Sequence, residues 1–147
     1  MILSLLENHF LYLVEQDDDQ SFFYNLLLQI STYFEPCRCR IAVIADSDRL
    51  QAHGELRFLP HVWCDGFRLL IFGEKDLRML EKKIQLYPHI HFVIFSHRNV
   101  LPADEKCSNY TVIYRSPAEK PVMCDAEIRC QKGEGVWSDM HGMQSFT

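Results

Sequence analysis

The order of hydrophobic and polar residues predicts buried strands that alternate with amphipathic helices. Short, continuous apolar runs are typical of strands that are buried on both faces. A polar residue or a glycine follows each run and sets the carboxyl end of the predicted strand. We predict five such strands, at residues 10–14, 41–45, 67–72, 89–96 and 110–114.

Two helices are predicted from apolar residues that recur every three or four positions. The first covers residues 22–34 and ends before Pro36. The second covers residues 74–87, where charged residues occupy the opposite face, and ends before Pro88.

The segment between the second and third strands leaves two interpretations open. Asp46 follows the second strand and is a suitable N-cap for a helix. The leucines of residues 49–61 favour a helix, whereas Gly54 and Pro60 oppose one.

Strands that are apolar on both faces and alternate with helices predict an α/β protein. We expect a three-layer fold with a mostly parallel, five-stranded sheet. The hydrophobic periodicity ends near Pro117, and glycines and scattered polar residues follow. We therefore predict a single domain with an irregular C-terminal tail at residues 122–147.

Composition and charge narrow the classes of function. The chain has 147 residues, of which 48% are hydrophobic, enough for one substantial core. Its 15 Lys and Arg residues face 20 Asp and Glu residues, so the net charge is −5. An acidic chain is a poor partner for phosphate backbones, and we expect no direct binding to nucleic acid.

The six cysteines and the N-terminus indicate a cytoplasmic protein with reduced thiols. Residues 1–14 lack the basic start of a secretory signal and are too short to span a bilayer, so we expect no membrane association. Cys37 and Cys39 form a C-x-C pair, and Cys124 and Cys130 are close in sequence, but neither pair has the second half of a zinc site. We expect no metal.

Three segments resemble the receiver domain of bacterial response regulators. The first strand runs into the acidic cluster VEQDDDQ. The segment FRLLIFGEKDLRMLEKKIQLYPHIHFVIFSH is similar to a receiver's third strand, third helix and fourth strand, and the fifth strand ends in YRSPAEKP. The resemblance implies a CheY/flavodoxin-like fold for a receiver-like domain at residues 1–121.

The sequence departs from the receiver family at the phosphorylation site. The family places its phosphorylated aspartate at the end of the third strand, where this chain has Gly73. The chain is therefore similar to the atypical, phosphorylation-deficient receivers found at the N-terminus of LuxR-type transcription regulators. This resemblance implies a degenerate pocket without catalytic residues or a cofactor, formed by Asp17, Asp18, Gly73, Ser96 and Arg115.

The resemblance implies a non-enzymatic regulatory domain in bacterial transcription control. Such domains act through contacts with a protein partner or as homodimers. The family's DNA-binding helices would follow the receiver, but the residues after Pro121 are too few and too irregular to form them.

Two other classes of function remain open. A small α/β enzyme or a nucleotide- or phosphate-binding protein would use the carboxyl edge of the sheet, with Asp17, Asp46, Gly73, Ser96 and His97. Against it, the sequence has no glycine-rich phosphate loop, and adjacent strand residues such as Ser96 and His97 point to opposite faces. The other class is an assembly or scaffold subunit of a larger complex.

Acidic and aromatic residues also allow two interpretations each. Asp17, Asp18 and Asp19 could bind Mg²⁺, but acidic residues at a helix start are favoured by the helix dipole without any ion. Trp63 and Trp137 either fold onto the core or contact a partner.

Overall fold

The computed structural model describes residue 7 and residues 10–15, 21–98, 107–115, 125–131, 134–139 and 142–146. The helices are α1 (Ser21–Tyr33), α2 (Ser47–Ala52) and α3 (Glu74–Leu86), with two short 3-10 helices at Gly54–Phe58 and Pro60–Val62. The strands are β1 (Phe10–Glu15), β2 (Cys39–Ile44), β3 (Trp63–Cys64), β4 (Phe67–Arg68), β5 (Leu70–Ile71), β6 (His91–Ser96), β7 (Tyr110–Arg115), β8 (Ala126–Gln131), β9 (Glu134–Asp139) and β10 (Gly142–Phe146).

The main sheet has eight strands in the order β10-β9-β8-β1-β7-β6-β2-β5. In the part of the sheet ordered β1-β7-β6-β2-β5, every two neighbouring strands are parallel, and β8 is parallel to β1. The chain reverses between β8, β9 and β10, which pair antiparallel. The α/β class and the mostly parallel sheet are therefore confirmed. No helix in the described ranges is long and apolar enough to cross a membrane.

The order of the parallel strands differs from that of a receiver. Counted along the chain, β1, β2, β5, β6 and β7 are the first to fifth strands, and they lie in the order 1-5-4-2-3. Flavodoxin and CheY have the order 2-1-3-4-5. The five parallel strands of this sheet therefore lie in another order than the strands of a receiver.

The side chains of each strand alternate between the two faces of the sheet, and apolar residues pack on both faces. Ile41, Val43 and Ala45 pack with α1, whereas Ala42 and Ile44 pack with α3. The alternation continues along β6 and β7 and separates two hydrophobic clusters. Helix α1 contributes buried apolar residues to one cluster (Phe23, Leu26, Leu27 and Ile30), and α3 contributes Leu80 and Ile84 to the other.

The third predicted strand, residues 67–72, is divided in two. Phe67–Arg68 pairs with Trp63–Cys64 in a hairpin, and only Leu70–Ile71 joins the main sheet. Asp65 and Gly66 form the turn with φ values of 55° and 74°, which is typical of the Asp-Gly sequence in a two-residue hairpin. The side chain of Asp65 accepts hydrogen bonds from Lys83 at 2.9 Å and Tyr87 at 2.5 Å and so fastens the hairpin to α3.

Three strands, β8, β9 and β10, lie in the region 122–147, for which we predicted an irregular tail. Leu11 and Leu13 of β1 pair with Ala126 and Ile128 of β8, so this region extends the parallel sheet beyond β1. Ala126, Ile128 and Cys130 alternate with polar residues, which is the pattern of a strand with one apolar face. The prediction used continuous apolar runs, and this alternating pattern does not produce one.

The segment 49–61 contains both of the structures that its sequence left open. Asp46 caps α2, since its carboxylate accepts a hydrogen bond from the Arg49 amide at 2.9 Å. Beyond His53 the chain continues as two 3-10 helices, and Pro60 begins the second of them. Pro is well tolerated at a first helical position because it has no N–H to satisfy there.

Candidate functional site

Arg98 lies at the carboxyl edge of the sheet, where ligands bind in many open α/β proteins. Its Nη2 atom donates to the carbonyl oxygen of Ala45 at 2.7 Å and to that of Phe72 at 2.6 Å. These two residues directly follow β2 and β5. The guanidinium therefore joins two neighbouring strand ends at the position where a bound ligand would approach them.

Ser96 and His97 point to opposite faces of the sheet, as predicted from their adjacency. The Ser96 hydroxyl is fully buried and donates to the Arg98 carbonyl at 2.6 Å. The His97 ring lies beside α1, with its centroid 4.8 Å from that of Phe23. The two side chains do not form a nucleophile–base pair.

Three rings meet on the α1 side of this edge. The His97 Nε2 atom lies 3.4 Å from the Tyr24 hydroxyl, and Tyr24 stacks on His53 with the ring centroids 3.6 Å apart. We call Tyr24, His53 and His97 the ring cluster. The charged residues Arg49, Arg115 and Asp46 act on it electrostatically.

Burial shifts the pKa values of two members of the ring cluster. Burial and, to a smaller extent, the positive charges of Arg49 and Arg115 together lower the pKa of His97 from 6.5 to about 4. Burial raises the pKa of Tyr24 to about 12 against the opposing effect of the same two arginines. Near neutral pH, His97 is therefore neutral and Tyr24 keeps its proton. A general acid or base works best with a pKa near the operating pH, and neither group has one.

The sequence-predicted pocket is brought together in part. Gly73 follows Phe72 and is the N-cap of α3, so Arg98 links it to the end of β6, where Ser96 lies. Arg115 is buried at the end of β7, and its charge acts on His97. The predicted members Asp17 and Asp18 lie outside the described residues.

The described cysteines and histidines do not assemble into a metal site. In the ranges that the structure describes, no three His, Cys, Asp or Glu side chains are placed to hold a metal ion. Cys37 is exposed, whereas Cys39 is buried, which raises the pKa of its thiol to about 12. The Nε2 atom of His91 lies 2.8 Å from the Thr111 hydroxyl oxygen.

A second surface lies beside β5 and was not found from the sequence. A cleft of about 440 Å³ separates the side chains of β4 and β5 from α2 and the first 3-10 helix. Its lining includes Arg57, Arg68, Leu70, Phe72 and Asp76.

Aromatic side chains extend this surface next to the cleft. Phe58 lies under the Arg57 guanidinium, with Cζ 4.5 Å from the ring centroid, and Trp63 donates its indole N–H to the Arg57 carbonyl at 2.7 Å. We call the cleft with Phe58 and Trp63 the β5-edge surface. One sequence signal could have located it, because the Asp65-Gly66 turn predicts the hairpin that shortens β5.

Replacing Arg98 with glutamine is expected to lower the free energy of unfolding by about 1 kcal/mol. The change removes two charge-assisted hydrogen bonds, although water can solvate part of this exposed site. Amide exchange should accelerate at Ala45, whose N–H bonds to the Ile71 carbonyl at 3.1 Å. Urea unfolding and hydrogen exchange measure these effects, with Arg78→Gln on the exposed face of α3 as the control. Equal stability and exchange in the two variants would contradict a bridging role for Arg98.

No protein-family model matches this sequence, and no curated protein is similar to it at a significant level. The geometry of the carboxyl edge and of the β5-edge surface is therefore the basis for a functional proposal.

Proposed function

We propose that this protein is a non-enzymatic regulatory domain that acts through contacts with another protein. The observation that carries the proposal is the exposed aromatic group of the β5-edge surface. Phe58 is 74% exposed, Phe72 56% and Trp63 38%. Aromatic side chains gathered around an arginine are typical of the residues that dominate protein interfaces.

The carboxyl edge supports the non-enzymatic part of the proposal. Its polar groups already bond within the chain, since Ser96 bonds to the Arg98 backbone and Arg98 bonds to two strand ends. The ring cluster holds a neutral His97 and a protonated Tyr24 near pH 7. These residues are suited to fixing the edge of the sheet rather than to transferring protons.

Proximity labelling tests the proposal. A labelling ligase fused to the full chain should biotinylate a defined set of proteins in cells of the native organism. The double variant Phe58→Ser/Phe72→Ser should lose most of that set, because it removes two exposed aromatic anchors. Leu86→Ser is the matched control, since Leu86 is 63% exposed at the end of α3 and lies outside the surface.

Two results would overturn the proposal. The first is a labelled set that is the same for the wild-type chain and both variants, whose folding is checked by circular dichroism. The second is a rise in melting temperature with ATP, GTP or inorganic phosphate, since a ligand that binds the folded state stabilises it by mass action. This second result would favour the nucleotide- or phosphate-binding alternative, for which the cleft volume and its two arginines are suitable.

A further inference from the structure

We propose that the β5-edge surface binds an extended, acidic peptide segment of the protein partner. The segment pairs its backbone with Leu70 and places a carboxylate between Arg57 and Arg68. This inference rests on the proposed function and specifies the chemistry of the partner.

The open edge of β5 supplies the first part of the argument. Hydrogen bonds to β2 use the carbonyls of Leu69, at 2.9 Å from the Val43 nitrogen, and Ile71, at 3.1 Å from the Ala45 nitrogen. Successive residues of a strand direct their backbone groups to opposite sides, so Leu70 directs its N–H and C=O away from β2. Within the part of the chain that the structure describes, β5 is the last strand at this side of the sheet. An extended peptide can bond to such an edge by β-augmentation.

The cleft supplies a place for the side chains of that peptide. Arg68, Leu70 and Phe72 are two residues apart, and all three line the cleft. Helix α2 and Gly54–Phe58 form the opposite wall. A peptide strand added along β5 would direct alternate side chains into this space, because strand side chains alternate between faces.

The charge of the cleft indicates which side chain belongs there. Arg57 donates to the Gly54 carbonyl at 3.0 Å, and Arg68 is exposed. Neither arginine has a carboxylate at ion-pair distance among the described residues. Among the described residues of the lining, Asp76 is the one acidic residue, so these residues carry a net charge of +1 on a chain whose net charge is −5. Guanidinium groups bind carboxylates with paired, charge-assisted hydrogen bonds.

A peptide library identifies the preferred ligand. Randomised nine-residue peptides are selected on the immobilised full chain, and the best sequence is then labelled for fluorescence anisotropy. We expect selected peptides to combine Asp or Glu with β-branched residues at alternate positions. Replacing the acidic residue of the peptide with its amide should weaken binding about 10-fold. Methylation of the peptide nitrogens should weaken binding by a similar factor, because it removes the backbone donors.

Variants of the chain locate the binding site. Arg57→Gln/Arg68→Gln should remove the preference for the acidic peptide over its amide. Arg78→Gln/Lys82→Gln is the matched control, with the same loss of charge on the exposed face of α3. The inference is overturned if the selected peptides lack acidic residues, or if both double variants bind the acidic peptide with wild-type affinity. It is also overturned if the full chain forms a dimer that the Arg57→Gln/Arg68→Gln variant does not form, because a second copy would then be the occupant.

The two proposals fail separately. Loss of labelling in Phe58→Ser/Phe72→Ser without a preference for acidic peptides would overturn the peptide inference and leave protein contact as the function. Labelling that is unchanged in that variant would overturn the proposed function itself.

Discussion

Replacing His97 with phenylalanine is expected to reduce, by about 2 kcal/mol, the drop in the free energy of unfolding between pH 7 and pH 4.5. The pKa of His97 falls from 6.5 to about 4 on folding, first because of burial and then because of Arg49 and Arg115. Below pH 6.5 the unfolded chain binds a proton that the folded chain does not accept, so stability falls as the pH drops toward 4. The full difference corresponds to roughly 3 kcal/mol, and we expect less because water screens the partly exposed ring.

Phenylalanine is a suitable replacement because it keeps the ring contact with Phe23 and removes the titrating nitrogens. The Nδ1 atom of His97 is buried without a hydrogen-bond partner among the described residues, and the contact that phenylalanine removes, between Nε2 and the Tyr24 hydroxyl, is long at 3.4 Å, so the variant should keep its stability at pH 7 within about 1 kcal/mol. His53 and Asp46 also act electrostatically on this ring, and both the variant and the wild type retain them.

Urea unfolding at a series of pH values measures the effect. His89→Gln is the control, because it also removes one imidazole but at an exposed position outside the ring cluster. If His97→Phe loses as much stability in acid as the wild type does, the ring is not held neutral by the fold.

Much of the element content of this fold could be predicted from the sequence. Continuous apolar runs located β1, β2, β6 and β7 because strands buried on both faces leave few polar positions. Apolar residues spaced three and four positions apart located α1 and α3, because this spacing places them on one buried face of a helix.

The order of the strands could not be predicted in the same way. Periodicity reports whether a residue is buried, but every interior parallel strand has the same buried environment. Whether β1 lies beside β2 or beside β7 depends on packing between distant segments, such as Leu11 against Ile113. The local hydrophobic pattern is the same for either strand order, and a resemblance based on the order of elements along the chain cannot distinguish the two.

The candidate site illustrates a related difficulty. The sequence located Ser96 and His97 at a strand end, and their opposite orientations followed from strand geometry. Arg98 was missed because an arginine in a polar loop gives no periodic signal. Its role depends on the carbonyls of Ala45 and Phe72, which are 53 and 26 residues away in sequence.

Replacing Asn109 with alanine is expected to lower the free energy of unfolding by about 2–3 kcal/mol. The side-chain nitrogen of Asn109 lies 3.0 Å from three carbonyl oxygens, those of Ile84, Tyr87 and Ile90, which share its two N–H donors. The carbonyls in the last turn of a helix have no partner within the helix, and Ile84 lies in the last turn of α3. Asn109 thus satisfies the end of α3 and the turn before β6 from the residue that precedes β7. Alanine leaves these partly buried acceptors without their donor.

Two further variants separate this explanation from a general loss of polar surface. Asn109→Asp has nearly the same shape, but its carboxylate replaces the donor with an acceptor that faces three carbonyls, so it should be less stable than the alanine variant at pH 7. Asn25→Ala makes the same chemical change on the exposed face of α1 and should be neutral or slightly stabilising, because alanine favours helix more than asparagine does. Urea unfolding at pH 7 ranks the three variants. An aspartate variant as stable as the wild type would show that the end of α3 does not need a donor from the residue before β7.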